Sequence, residues 1–407
     1  MPDRRHLRDA IAHLAAIDRP SASAGEHEAA QWIAAQLEEF GCSVRVEQER
    51  AHGGYWFPLG VPNALAGLAG LLARRGGRRN RTFAALAGTF AAAAIWDDVG
   101  GGSLWFRRRF LPSRPTWNVV AETGDTSAER TVVFVAHHDA AHSGLLFHPG
   151  VLPLVDRVAP KLLERTDTSP PLMAPVIAGP LLVALGALTR RRRALSAGTV
   201  LALGSAATFA EIGARDVVPG ANDNLTGVAT LLGLATELAE QPVEGLRVLL
   251  VSTGSEEGFM EGMQAFARRH FRDLPPERTH VVCVDTVGSP QLTLIEGEGM
   301  LQMRDYPEDF KDLVAECAEA SGVSLRRGLR LRNATDGLIA LRAGYPTTAI
   351  GSVTRLKVPA NYHWPTDTAE NVDHGTVEEA VTLCAAIARR LAGTTAASAA
   401  AGSAAPG

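Results

Sequence analysis

The stretch VPGANDNLTGVATLLGLATELAE, residues 218–240, decides how the rest of the chain is read. A Gly/Asn-rich turn holding one carboxylate, Asp223, opens directly into a segment whose Val228, Leu231, Leu232, Leu234 and Leu238 recur at helical spacing. Backbone at the mouth of a helix therefore holds that carboxylate in place. Working outward, RTVVFVAHHD (130–139), GLRVLLVST (245–253), THVVCVDT (279–286) and TTAIG (347–351) are β-branched-rich runs bounded by turns. Between them lie helical segments at 225–240, 260–271, 307–321, 334–343 and 375–392. Continuous apolar strands alternating with helices specify a sheet buried on both faces, hence an α/β fold. Nearer the start, 3–17 and 25–40 read as helices, the second with Ser21 or Ser23 as cap and Gly41 as stop, and CSVRVEQ alternates as a strand.

With 407 residues, 46% of them hydrophobic, the chain can form one large domain with insertions or two ordinary domains. Its net charge of -4 supplies no basic field, which argues against nucleic acid as a partner. Cys42, Cys283, Cys317 and Cys384 form no CxxC pair and read as ordinary thiols. The first twenty residues carry charges throughout, so they read as an amphipathic helix and not as a cleaved signal. The low-complexity tail, 394–407, is expected to be disordered. Oligomeric state leaves no mark in the sequence.

Two uncharged pairs of segments interrupt the α/β pattern. Residues 55–73 and 82–96 flank RRGGRRNR, and 171–189 and 194–210 flank Arg190 to Arg193. Each pair reads as a helical hairpin with an arginine tip, inserted at 55–115 and 160–212 into a body made of 1–54, 116–159 and 213–393. A membrane span needs about 20 apolar residues, so three of the four segments are adequate and 82–96 is short. Two readings follow. The hairpins are packed helices of a soluble, cytoplasmic Ala-rich protein, or they associate with a membrane through 55–96 and 171–210. In the second case the arginine tips are cytoplasmic by the positive-inside rule and the body is extracytoplasmic.

Ionisable residues concentrate where strands end. His137 and Asp139 close one strand, Asp223 sits in its turn, Glu256 and Glu257 follow another strand, and Asp285 ends a third. That edge of an open α/β sheet is where sites assemble, and His363 in the Pro-rich loop NYHWPTDT can reach it. Carboxylate and imidazole ligands without thiolates suit zinc in a hydrolytic site. Five ligands exceed the needs of one tetrahedral ion, and two zinc ions sharing one carboxylate fit the count: His137 and Asp285 on one, Glu257 and His363 on the other, Asp223 between. Glu256 then remains free as general base, and Asp139 is placed to hold the imidazole's other nitrogen. Taken singly, each motif has a plainer reading: an incidental HxD, a solvated first helical turn, a turn aspartate, a surface histidine. Their joint occurrence at strand ends gives them weight.

AHHDAAHSG, GANDNLTGVATLLGLA, STGSEEGFMEG, VDTVG and YHWPTDTAENVD resemble, in that order, the signature motifs of peptidase family M28, the co-catalytic two-zinc aminopeptidases of clan MH. The resemblance covers about 116–392 outside the second hairpin. It implies a three-layer α/β/α fold with a mostly parallel mixed central sheet, of the zinc-exopeptidase, phosphorylase/hydrolase-like kind, and cleavage of N-terminal residues from peptides. It implies the same ligand set, with His137, Asp223, Glu257, Asp285 and His363 on two zinc ions and Glu256 as base, and a cis peptide at Asp223-Asn224. Thr335-Asp336-Gly337 stands where many members carry Ser-Asp-His, a departure that bears on the substrate pocket and not on the metals. Two other functions remain to be separated: a glutaminyl-cyclase-like acyltransferase, which uses one zinc, and a non-catalytic membrane receptor or scaffold, which would have lost ligands or base.

Overall fold

The computed structural model describes residues 4–158 and 167–403. The remaining parts of the second insertion and of the C-terminal tail lie outside the described residues.

Nine strands form one mixed sheet: β1 (Ser43–Ala51), β2 (Arg114–Gly124), β3 (Thr131–His137), β4 (Arg247–Thr253), β5 (Thr279–Val284), β6 (Gln291–Glu298), β7 (Arg304–Asp305), β8 (Arg326–Leu331) and β9 (Thr347–Val353). The spatial order is β1-β2-β4-β3-β5-β9-β6-β7, with β8 alongside β6. The centre, β4-β3-β5-β9, is parallel, and antiparallel strands extend it on both sides. These four central strands are the apolar runs anticipated from the sequence. Because successive side chains alternate, Val132, Phe134 and Ala136 of β3 enter one core while Val133 and Val135 enter the other.

The first core is covered by α1 (Arg4–Ala15), α2 (Ala24–Glu39), α9 (Thr226–Glu240), α11 (Glu308–Ser321) and α13 (His374–Ser403). The second is covered by α10 (Glu261–His270) and α12 (Gly337–Arg342). Two faces buried under helices make the three-layer α/β/α arrangement. Ser23 caps α2 by accepting from the Glu26 amide at 3.1 Å. The final helix continues to Ser403, past the point where low complexity predicts disorder, because an Ala-rich segment carries the strongest helix propensity.

The apolar insertions form α3 (Trp56–Arg74), α4 (Arg78–Val99), α7 (Ala174–Thr189) and α8 (Arg192–Gly213); α5 (Trp105–Phe110) and α6 (Val151–Val158) are short connecting helices. The expected lengths need correction. The helix of the second segment is longer than its apolar run, since Arg78, Arg79 and Arg81 extend α4 at its start while the uncharged stretch stays at 82–96. The third is short, because α7 begins only after Pro170-Pro171. Among the described residues, only α3 and α8 combine span length with low charge, and α7 is apolar but shorter. The two hairpins also join: α3 runs antiparallel to α8, Gly60 lying by Phe209, Gly67 by Leu203 and Gly70 by Thr199. The result is one four-helix bundle with both arginine tips at one end.

Candidate active site

Parallel packing brings three strand ends to one edge. His137, the last residue of β3, lies in register with Thr253, the last of β4, and Asp285 directly follows β5. After β4 the chain turns through Ser255 at φ 51°, which delivers Glu256 and Glu257 to the same edge. Asp223 arrives on the irregular turn before α9, with a cis peptide to Asn224, as the resemblance implies. His363 comes from the loop after β9. All six expected residues line one cavity of about 610 Å³, and His137, Asp223 and His363 are buried.

Asp223 faces two ways. Its Oδ1 lies 3.2 Å from His137 Nε2 and its Oδ2 lies 3.2 Å from His363 Nε2, which in turn is 3.3 Å from Glu257 Oε1. Donor atoms of His137, Asp223 and Asp285 all lie within 4.8 Å of one another, as do those of Asp223, Glu257 and His363. Zinc ligands about 2.0–2.1 Å from a tetrahedral ion stand about 3.3–3.4 Å apart, so these spacings suit two ions sharing Asp223. Glu256 Oε2 is 4.0 Å from His137 Nε2, beside the first group.

Charge in this floor is unbalanced. Burial and neighbouring carboxylates push the Glu256 and Asp285 carboxyls well above the usual range, against the pull of His137. Burial would lower the His363 imidazole, yet Glu257 and Asp223 lift it to about 10. Asp223 lies far below the usual range because hydrogen bonds from both imidazoles outweigh its burial. A cluster that draws protons this strongly is short of positive charge, which divalent cations supply.

Asp139 does more than expected. Its Oδ1 is 3.4 Å from His137 Nδ1, and its carboxylate also accepts from the Glu256 amide at 2.9 Å, the Glu257 amide at 3.1 Å and Ser21 Oγ at 2.6 Å. One residue thus orients the imidazole and the Glu-Glu segment together, its main-chain oxygen 3.1 Å from His137 Nδ1 and its carboxylate on the Glu-Glu segment. Thr335 lines the cavity, whereas Asp336 lies behind it, accepting a hydrogen bond from Thr253 Oγ1. Burial raises its carboxyl to about 7.

Several supporting residues escape a reading by motif. Asp367 accepts from the Asn222 amide at 2.7 Å and the Asp223 amide at 3.1 Å, fixing the turn. It belongs to the same YHWPTDT segment as His363, and that proximity is the signal that could have found it. Asn224 ties the turn to the neighbouring strand through Val284 O at 2.9 Å and the Thr286 amide at 3.0 Å. Arg19, wholly buried, donates to His138 O at 2.8 Å, Pro219 O at 2.6 Å and Gly220 O at 2.8 Å. Glu26, also buried, accepts from Thr116 at 2.7 Å and from the Ser255 amide at 3.0 Å, one residue before Glu256. Tyr362 stacks on His363, ring centroids 3.9 Å apart, and burial beside Asp223 and Glu257 keeps its hydroxyl protonated as a donor.

Residues 207–388 match the model described as Peptidase family M28, so the family match covers every proposed site residue except His137 and Asp139. No curated protein matches the chain in sequence. Among solved structures, an aminopeptidase from Aneurinibacillus sp. strain AM-1 superposes with a TM-score of 0.55 at 14% identity, over 95% of this chain and 93% of that one. BSAP, a zinc aminopeptidase from Bacillus subtilis, gives 0.54 at 14% identity, over 95% and 94%. The glutaminyl cyclase of Bacteroides thetaiotaomicron gives 0.55 at 13% identity, over 95% and 97%. At such identities these likenesses establish the α/β fold.

Proposed function

We propose that this chain, whose residues 207–388 belong to peptidase family M28, is a zinc metallopeptidase that removes N-terminal residues from peptides. The observation that carries the reading is the two-sided placement of Asp223 between His137 and His363. His137 and Asp285 would hold one zinc, Glu257 and His363 the second, and Asp223 both. Ions bound there supply an acidified water and polarisation of the scissile carbonyl.

Glu256 takes the proton from the attacking water and returns it to the leaving amine. Asp139 sets the backbone on which Glu256 and Glu257 hang, so base and ligand keep a fixed separation. Tyr362, beside His363 and lining the cavity, donates its hydroxyl toward the substrate carbonyl oxygen. Leu146, Phe147, Leu152, Val155 and Leu331 wall the cavity, which favours peptides with an apolar N-terminal side chain.

A panel of aminoacyl chromogenic amides tests the reading. Hydrolysis of free-amine leucyl or phenylalanyl substrates, abolished by chelator and restored by zinc, is expected; indifference to the chelator refutes it. Cyclisation of N-terminal glutamine with no hydrolysis of any amide would replace it with the cyclase reading.

A further inference from the structure

The four-helix bundle is packed inside out. Its interior is lined by small residues: Ala66, Ala91 and Ala202 form one buried cluster, and Ala69, Ala73, Ala84 and Ala87 contribute to another. Glycines permit close approach of backbones, since a Cβ at Gly186 would lie 2.4 Å from the Leu195 amide nitrogen and one at Gly198 2.5 Å from that of Val183. Leu59, Ile95, Val183, Leu195 and Phe209 are buried as well, but many of the bundle's large apolar side chains point the other way. One residue on each helix illustrates it: Leu68 is 57% exposed, Leu86 66%, Leu188 69% and Val200 66%. Phe57, Val61, Phe83, Phe90, Leu181 and Leu185 extend this outer surface.

A soluble bundle does the reverse, burying its Leu and Phe and exposing polar residues. Small-inside, large-outside packing is the arrangement used where the surroundings are as apolar as leucine. The apolar surface involves all four helices instead of one face, so a single docked protein would leave much of it uncovered. Length agrees as well: the 19 residues of α3 span about 28 Å, against a hydrocarbon core of about 30 Å.

The two ends of the bundle differ. Nine arginines, at 74, 75, 78, 79, 81 and 190 to 193, cluster at the tips without any acidic residue among them. At the opposite end the exposed aromatics Phe57, Trp96, Trp105 and Phe110 gather, a composition suited to a membrane–water boundary. That end is locked to the peptidase body. Buried Arg107 bonds Asp98 of α4 at 2.8 Å and 3.0 Å and Glu261 of α10 at 3.0 Å, and Tyr55, just before α3, stacks on Phe259, two residues beyond Glu257.

The geometry points to a bundle embedded in a lipid bilayer, its arginine tips in the anionic cytoplasmic leaflet and its aromatic end at the opposite surface, with the cavity of the peptidase body held against that surface. The assignment is independent of the proposed activity, and its test does not use that activity. The full chain is expressed in cells, and membranes are washed with high salt and alkaline carbonate. Because all four native cysteines are buried, single reporters Arg79→Cys, Arg191→Cys and Thr126→Cys can be labelled with an impermeant maleimide on an otherwise intact chain.

The protein is expected to stay in the washed pellet, with Thr126→Cys labelled in intact cells and the two tip cysteines only after permeabilisation. Recovery of the chain as a monodisperse, detergent-free species would overturn the embedding; tip labelling from outside would overturn the orientation. A triple variant, Leu68→Glu, Leu86→Glu and Leu188→Glu, separates lipid contact from ordinary exposure. It is expected to lose the membrane fraction, whereas its retention there would contradict the assignment. Should that variant not accumulate, the fractionation and labelling of the single-cysteine chains decide.

Discussion

Replacing Arg19 with methionine keeps the volume of a long side chain but removes the only described guanidinium that links the His137–Asp139 segment to the turn before Asp223. The lost contacts are the bonds to His138 O, Pro219 O and Gly220 O, together with longer ones of 3.2 Å to Leu14 O and 3.4 Å to Ile17 O. Burial lowers the guanidinium to about 10, while Asp367, Asp139 and Asp223 support its charge, so it remains cationic at neutral pH. Each carbonyl left buried without a donor costs about 1–3 kcal/mol. Relief of the desolvation of the charge offsets part of this, leaving a net loss of about 3–5 kcal/mol, the range for breaking a buried charged contact. The effect reaches the site because two ligand-bearing segments lose a common anchor, and a displacement of about 1 Å at a reacting centre costs about 10²-fold in rate. Urea unfolding gives the first quantity, and kcat with saturating zinc the second. Arg19→Lys retains charge but not the fork of donors, so its values should fall between. Wild-type stability, zinc affinity and kcat in Arg19→Met would refute the anchoring role.

Glu256→Gln is expected to lower kcat by about 10²-fold or more while metal content, read by mass spectrometry, stays at the wild-type level. Asp223→Ala is expected to lose metal, measured the same way, since its two carboxylate oxygens stand 3.2 Å from His137 and 3.2 Å from His363 and are shared between the two ligand groups. Glu296 gives a stability test remote from the site. Burial opposes its charge, but Arg327 at 3.0 Å and Lys311 at 2.7 Å hold it down to about 2. A depressed carboxylate stabilises the fold above its unfolded value of about 4.3 and loses that contribution as pH falls toward 2. With solvent screening the contribution is about 1 kcal/mol. Denaturation midpoints of wild type and Glu296→Gln should therefore converge as pH drops from 6 to 3; a constant gap would contradict the assignment.

The central strands were legible because continuous apolar runs carry their own signal, and the strand-end positions of His137, Glu256, Glu257 and Asp285 followed from them, while Asp223 was read from its own turn before a helix. The flanking strands were not. β8 reads RRGLRL, and β6 carries Glu296 and Glu298, whose buried partners Lys311 and Tyr306 only the fold supplies. The helices α1 and α2 were anticipated, but not that Arg19 of their connection and Glu26 of α2 reach beneath the site. Their contacts reach Pro219, Gly220 and Ser255, some 200 residues away or more, and no local pattern encodes such a distance. The same limit hid the union of the hairpins, since α3 and α8 pair across the whole of β2 and β3. Asp139 was recognised as a partner of the imidazole, while its bonds to the amides of Glu256 and Glu257 required the register of β3 against β4.

Zinc stoichiometry measured together with turnover tests the central claim most directly. Purified protein, stripped by chelator and titrated with zinc, should regain hydrolysis of a leucyl chromogenic amide as it binds two ions per chain, and Asp223→Ala should bind neither tightly. Saturation at one ion per chain with no amide hydrolysis would contradict the account.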